Sequence, residues 1–400
     1  MLSNSPLTCR PSPHAIHHEP PALFDSFWLG GFESACQINT RGVRIDMLAA
    51  TQHDDLALAD YQMVRSVGIR TVRDGVRWPC IERSPGRYDW STFLPMLRAA
   101  QSAGVQVIWN LLHYGWPEDL DILSSAFVDR FARYCREVAR TVRNESDRVP
   151  FFVPVNEVSF LAWAIGYKGI IQPTQIGRAH EIKMQLVRTA IAGMEAIWSV
   201  DPRARFAHVD PVIHVMPPRD RPELAAQAAG QRAAQFDAWD MISGRSEPSV
   251  GGAPKYLDLI GINYYHSNQF EAPDVRLRWE DHPRDDRWVP LHRLLDEIHR
   301  RYGRPIFLAE TSHFGDGRAR WIKEIAEEVY IARLQGVPIE GVCLYPIIDR
   351  PDWEEPTHWH NSGLWDLRPS AGGRLERVHN PAYLHAFQWS RELLAEIGCG

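Results

Sequence analysis

Short apolar or β-branched runs, bounded by Gly, Pro, Asn or Asp, recur at residues 27–32, 69–74, 105–112, 151–155, 205–209, 259–264, 306–309 and 341–345. Each reads as a buried strand. Helical stretches fall between them at 54–66, 91–103, 125–142, 181–200, 222–242, 291–302 and 320–334, and a last one at 381–397 closes the chain. The stretch 125–142 has the clearest period, because Phe127, Phe131, Tyr134, Val138 and Val142 mark one helical face that would pack onto a sheet. Strands alternating with helices imply parallel pairing through right-handed crossovers, and eight such units close into an α/β fold, a single (β/α)8 TIM barrel with its active site at the C-terminal ends of the strands. Residues 23–400 are assigned to that catalytic barrel. Residues 1–22, rich in Pro, Ser and His and without a hydrophobic period, read as a flexible arm, so that His14, His17 and His18 are expected on a polar tail. The charged segment 276–288 reads as a long loop after the sixth strand. An open, doubly wound sheet is the alternative. It is disfavoured because no GxGxxG follows the first strand and no GxxxxGK[ST] occurs.

Composition narrows the class of function. Forty-four Lys+Arg against 50 Asp+Glu give a net charge of −6, and no run of like charge offers a face to nucleic acid or to an anionic membrane. No apolar stretch reaches the roughly 20 residues of a membrane span, and the N-terminus lacks an apolar leader core, so a cytoplasmic protein is expected. The six cysteines are scattered singly with no CxxC pair, which points to reduced thiols and to neither a zinc knuckle nor a disulfide framework. No metal and no cofactor is expected.

In such a barrel the chemistry is read from what each strand ends with. The fourth strand ends in Val155-Asn156-Glu157 and the seventh in Ala309-Glu310, which delivers two carboxylates to one mouth. Glycoside hydrolysis requires that pair, one carboxyl to protonate the leaving oxygen and one to attack or stabilise the anomeric carbon. A lone strand-end Glu is as readily an ion-pair partner or a cap, so the neighbours matter. The second strand ends in Val72-Arg73-Asp74, a guanidinium near the pair or a structural salt bridge. The third ends in Leu112-His113-Tyr114-Gly115-Trp116, an imidazole and aromatic faces suited to a sugar or simply to core. The sixth ends in Asn263-Tyr264-Tyr265, whose phenols suit a carboxylate or aromatic packing.

From residue 27 to about 387 the chain resembles the family 1 glycoside hydrolases, the retaining β-glycosidases of clan A. The resemblance rests on Pro154-Val155-Asn156-Glu157 and Leu308-Ala309-Glu310-Thr311, then on Gly30-Gly31-Phe32-Glu33-Ser34-Ala35-Cys36-Gln37, Arg73, Arg77-Trp78-Pro79, Leu112-His113, Gly261-Ile262-Asn263-Tyr264-Tyr265 and the segment from Tyr345 to Trp353, all in the family's order. It implies Glu310 as nucleophile and Glu157 as acid/base. Asn156 would hold the 2-hydroxyl, and Gln37 and His113 would contact the 3- and 4-hydroxyls. Tyr265 and Arg73 would orient and ionise the nucleophile, and Asp352 and Trp353 would read the 4- and 6-hydroxyls. Val158, Thr311-Ser312, Tyr114 and Asp352 depart from the family's usual Pro, Asn-Gly, Trp and Glu. The last is one methylene short, so the preferred sugar stays open; Asp352, Glu354 and Glu355 would repel a phosphorylated one, though Arg350 lies beside them.

The expected partner is a small-molecule or oligosaccharide β-glycoside, with Trp116, Trp163, Trp353 and Trp359 as candidate stacking faces. A β-glucosidase or β-galactosidase-like exo-hydrolase working by double displacement is the leading reading. Transglycosylation on the same site, a non-catalytic carbohydrate-binding barrel, and a metal-dependent barrel hydrolase are the alternatives. The last lacks an HxH at the first strand, and His358 and His360 read better as part of a loop.

Overall fold

A computed structural model describes residues 23–399. The arm at 1–22, with its three histidines and Cys9, lies outside the described residues. Eight strands form the barrel: β1 (Trp28–Gly31), β2 (Thr71–Gly75), β3 (Gln106–Asn110), β4 (Phe151–Val153), β5 (Arg205–Pro211), β6 (Leu259–Asn263), β7 (Ile306–Thr311) and β8 (Ile339–Leu344). Every neighbouring pair is parallel, and β8 returns to β1 with Leu344 opposite Gly30, so the sheet is closed and the open doubly wound alternative is excluded. The helices that cover it are α1 (His53–Ser66), α2 (Leu94–Ala103), α3 (Ser125–Glu145), α4 (Ala179–Trp198), α5 (Asp237–Ser243), α6 (Leu291–Tyr302), α7 (Gly317–Leu334) and α8 (Pro381–Ala395).

The barrel interior is a packed core, not a pore. Leu29, Ile108, Phe151, Val153, Ala207, Val209, Leu259, Phe307, Ala309 and Cys343 fill it, and Phe24 plugs the N-terminal end against the rings of Phe151 and Phe307. Between barrel and helices lies the second apolar layer. There α3 buries the face read from its period, starts at Ser124, whose Oγ accepts from the Phe127 amide, and packs on α4, where Gly193 lies so close to Phe131 that a Cβ would fall 2.8 Å from the ring. Five described cysteines (Cys36, Cys80, Cys135, Cys343 and Cys399) are free thiols. No helix among the described residues is long and apolar enough to cross a membrane.

Three elements differ from the sequence reading. The stretch 222–242 does not form one helix. It breaks into a turn at Pro222–Leu224, the helix Ala225–Ala233, a second turn at Ala234–Phe236 and then α5. The Ala225–Ala233 segment buries only Ala228, so tertiary packing gives it nothing to hold a long straight helix, whereas Trp239, Met241 and Ile242 dock α5 onto the barrel. After β8 an antiparallel hairpin, Trp365–Pro369 with Leu375–His379, was invisible because its strands are charged on their outer faces. A small sheet of His214–Met216, Gln269–Glu271 and Val275–Arg276 borders the otherwise irregular 276–288 loop.

Asp74 does not turn into the barrel. Successive side chains of β2 alternate, so Arg73 points inward and Asp74 outward to α1. There Asp74 and Asp60 bond the two ring nitrogens of His53 at 2.8 Å each, and Tyr61 and Arg377 complete the network, tying the hairpin to the barrel. Burial works against an imidazolium, but the two carboxylates outweigh it and raise His53 to about 9. A folded value above the unfolded one, near 6.5, means that the charged form stabilises the fold below pH 6.5 and that this contribution is lost as pH rises toward 9. Thermal unfolding midpoints should therefore fall between pH 6.5 and 9. The buried carboxyls of Glu157 and Asp210, raised to about 8 and 7, act over the lower part of this range, so in His53→Gln the slope should shrink most between pH 8 and 9, and an unchanged slope there would remove His53 from the account.

Candidate active site

The C-terminal ends of the strands meet at one polar cluster. Arg73 on β2, fully buried, donates from Nη1 to Glu310 Oε1 at 3.0 Å and to the Ala309 carbonyl at 2.6 Å, and from Nη2 to Asn110 Oδ1 at 3.1 Å and Asn156 Oδ1 at 2.8 Å. Its position depends on β1: a Cβ on Gly31 would fall 1.9 Å from the Tyr345 ring, which packs 5.2 Å from the Arg73 guanidinium carbon. Tyr265, just beyond β6, donates its phenol to the other oxygen of Glu310 at 2.8 Å. Burial first, then the charge on Glu310, lifts that phenol well above its usual range, so it stays protonated and remains a donor. Tyr264, by contrast, stacks on Trp321 and bonds Gln269, and belongs to the core.

Glu157 follows β4 in a left-handed backbone conformation with φ near +49°, a geometry that an L residue holds only where its surroundings impose it. Its amide bonds the Val209 carbonyl, its Oε1 accepts from Asn263 Nδ2 at 2.8 Å, and its Oε2 accepts a short bond from the Tyr114 phenol. Tyr114 is left-handed too, with φ near +66°. Asn263 is the residue opposite Glu310 in the β6–β7 register, so one amide links the strand position of one carboxyl to the side chain of the other. Burial, and then the proximity of Glu310, raises Glu157 to about 8, although Tyr114 and Asn263 favour its charged form.

A second chain of bonds runs from Arg73 through Asn156, whose Nδ2 lies 3.2 Å from His113 Nε2, to Ser34 Oγ, 2.9 Å from His113 Nδ1. With Asn156 Oδ1 engaged by Arg73, its amide faces His113, which fixes the imidazole as acceptor at Nε2 and donor at Nδ1. Burial and the charges of Arg73 and Arg350 push His113 well below its usual value, so it is neutral.

Of the residues singled out in the sequence, Arg73, His113, Asn156, Glu157, Tyr265 and Glu310 come together. Gln37 is buried at the edge of this cluster with its Oε1 unpartnered, and it lines, with Tyr114, Trp116 and Gln172, a cavity of about 520 Å³. Trp353 packs edge-on against Tyr114 at 5.6 Å, with a buried, unpartnered Nε1. Asp352 turns into its own loop: Oδ1 accepts from the amides of Glu354 and Glu355, and Oδ2 lies 3.0 Å from His360. Trp163 is exposed beside Lys168, and Trp359 lies in the same loop as Asp352.

Sequence reasoning gave no role to Asn263, Asn110 or Glu33, and read Tyr114 as an aromatic face for a sugar, not as a partner of Glu157. Glu33 is buried at the end of β1, 3.6 Å from His113 and 3.4 Å from Arg350, and burial raises its carboxyl despite that arginine. The strand-end signal was present for all four, but only Glu33 is itself a carboxylate of the kind being sought.

No protein-family model matches the sequence, and no curated protein is similar to it. Solved structures are similar in fold. A β-glucosidase from Thermotoga maritima in complex with glucoimidazole superposes with a TM-score of 0.72 at 13% identity, covering 93% of this chain and 98% of that one. A family 1 β-glucosidase from the same organism in complex with isofagomine lactam gives 0.70 at 15% identity, over 86% and 88% of the two chains. The AHE enzyme from Alicyclobacillus herbarius gives 0.69 at 17%, over 86% and 87%. The chain thus shares the (β/α)8 barrel fold of these structures.

Proposed function

We propose that the protein is a retaining β-glycosidase acting on a small-molecule or oligosaccharide β-glycoside. The observation that carries this reading is the pairing of two carboxyls in contrasted settings at one barrel mouth. Glu310 is held by a guanidinium and a phenol, while Glu157 is buried with a raised proton affinity, and Asn263 connects them. Retention of configuration uses two carboxyls about 5–5.5 Å apart, against about 6.5–9.5 Å for inversion, and the anomer released first distinguishes the two.

In this mechanism Glu310 attacks the anomeric carbon while Glu157 gives its proton to the departing oxygen. A glycosyl ester on Glu310 results. Glu157, now a carboxylate, takes a proton from water as that water attacks the same carbon and releases Glu310. Tyr265 and Arg73 hold the attacking carboxylate in place, one on each oxygen, and the Asn156 amide, which bonds His113 and Tyr114, would exchange one of those bonds for the 2-hydroxyl. The unpartnered polar atoms of Gln37 and Trp353 are suited to sugar hydroxyls, because buried polar groups of native folds are otherwise satisfied.

The test is a panel of aryl β-glycosides (gluco, galacto, fuco, manno, xylo and glucurono) with the first-formed sugar followed by proton NMR. At least one member should turn over and release the β-anomer first. Initial α-anomer would replace this mechanism with inversion, and no turnover of any member would remove the hydrolase reading.

A further inference from the structure

Behind Tyr265 three chain segments converge on a cluster that the hydrolytic mechanism does not use. His266 follows β6, Glu280 lies in the 276–288 loop, and His313 follows β7; one ligand atom from each lies within 4.8 Å of the others, the single group of this kind among the described residues. His313 Nε2 is 3.2 Å from Glu280 Oε1. Two ligands at about 2.1 Å from a tetrahedral zinc ion stand about 3.4 Å apart, so that pair already has the edge length of a zinc site.

The surroundings fit as well. His266 is 5% exposed, and its Nδ1 is buried with no hydrogen-bond partner. His313 Nδ1 accepts from the Phe314 amide at 2.7 Å, which places the ring proton on Nε2, facing Glu280; zinc bound at Nε2 would shift that proton to Nδ1, where the Phe314 carbonyl 3.0 Å away would orient the ring. Trp279, Phe314 and Trp321 wall the two rings from water, whereas Glu280 is partly exposed and opens a path for an ion. Arg276 also donates to both oxygens of Glu280 at 3.1 Å, the one facing His313 included, but that pair is partly solvated and contributes little, so an ion can displace it. Two imidazoles and one carboxylate suit zinc better than magnesium or calcium, which prefer all-oxygen shells.

We propose that His266, Glu280 and His313 bind one zinc ion that clamps the loops after β6 and β7 together. His266 adjoins Tyr265, so the clamp stiffens the wall that presents this phenol to Glu310. The proposal stands whether or not the barrel hydrolyses glycosides.

Chelator-stripped full-length protein, titrated calorimetrically with zinc chloride, should take up one equivalent, and its unfolding midpoint should rise. Outer partners of a metal cost about 10–100-fold in affinity when lost, so Glu280→Gln and His313→Gln, which remove ligands, should weaken zinc at least tenfold. Their zinc-free midpoints serve as the folding control, and Glu280→Gln, at a partly exposed position, keeps the test usable if His313→Gln misfolds. His358→Gln, and His14→Asn, His17→Asn and His18→Asn combined, should bind zinc as the parent does. The proposal is overturned if no saturable zinc binds, if Glu280→Gln binds as tightly as the parent, or if the other histidine changes abolish uptake.

Discussion

Glu310→Gln is expected to lower kcat on any responsive aryl β-glycoside by about 10⁴–10⁶-fold, the scale on which loss of a covalent nucleophile acts. Gln keeps the shape, and its one oxygen can still accept from Arg73, which now bonds Glu310 Oε1 at 3.0 Å, while its NH2 faces the Tyr265 phenol, which can rotate to accept. What it loses is nucleophilicity, since an amide oxygen cannot form a stable ester with the anomeric carbon. The loss should therefore appear in kcat with binding retained, and an unchanged unfolding midpoint would separate chemistry from stability. The parent protein, treated with a 2-deoxy-2-fluoro glycoside bearing a good leaving group, should gain one fluoroglycosyl unit on the peptide that contains Glu310. Label on another carboxyl, or a Glu310→Gln protein with near-parental turnover, would displace Glu310 from this role.

What was legible in the sequence was what local pattern controls. Strand ends, the α3 face and the convergence of residues 73, 157 and 310 follow from periodicity and from the rule that barrel strands deliver their last residues to one face. The companions of Glu157 were not legible. Tyr114 reaches Glu157 only because both residues adopt left-handed backbones, which no propensity favours for Tyr or Glu. Asn263 matters through the β6–β7 register, a long-range quantity. Asp352 was read as facing a ligand, yet a short side chain that can bond amides two and three residues ahead closes a turn on itself. The zinc candidate is likewise a product of the fold, its members coming from three segments with no motif spacing.

Glu157→Ala should divide substrates by their leaving groups. For poor leaving groups the proton must be supplied as the bond breaks, and removing a general acid costs about 10²–10⁴-fold. Dinitrophenyl glycosides depart with little help, so their glycosylation persists and water attack, deprived of its base, becomes limiting. Azide needs no base. Added azide should restore turnover of these substrates and yield the β-glycosyl azide, with retention, because it attacks the same α-linked ester. The pH profile gives an independent reading. Glu157 must carry its proton for the first step and holds it up to about pH 8, so the parent's kcat/KM should fall as pH rises through that value. This alkaline limb should vanish in Glu157→Ala. Tyr114→Phe and Asn263→Ala each remove a bond that favours the carboxylate, so both should move the limb to higher pH. An α-azide product, or an alkaline limb that persists in Glu157→Ala, would assign the acid/base to another group, and the buried Glu33 would be the next carboxyl to substitute.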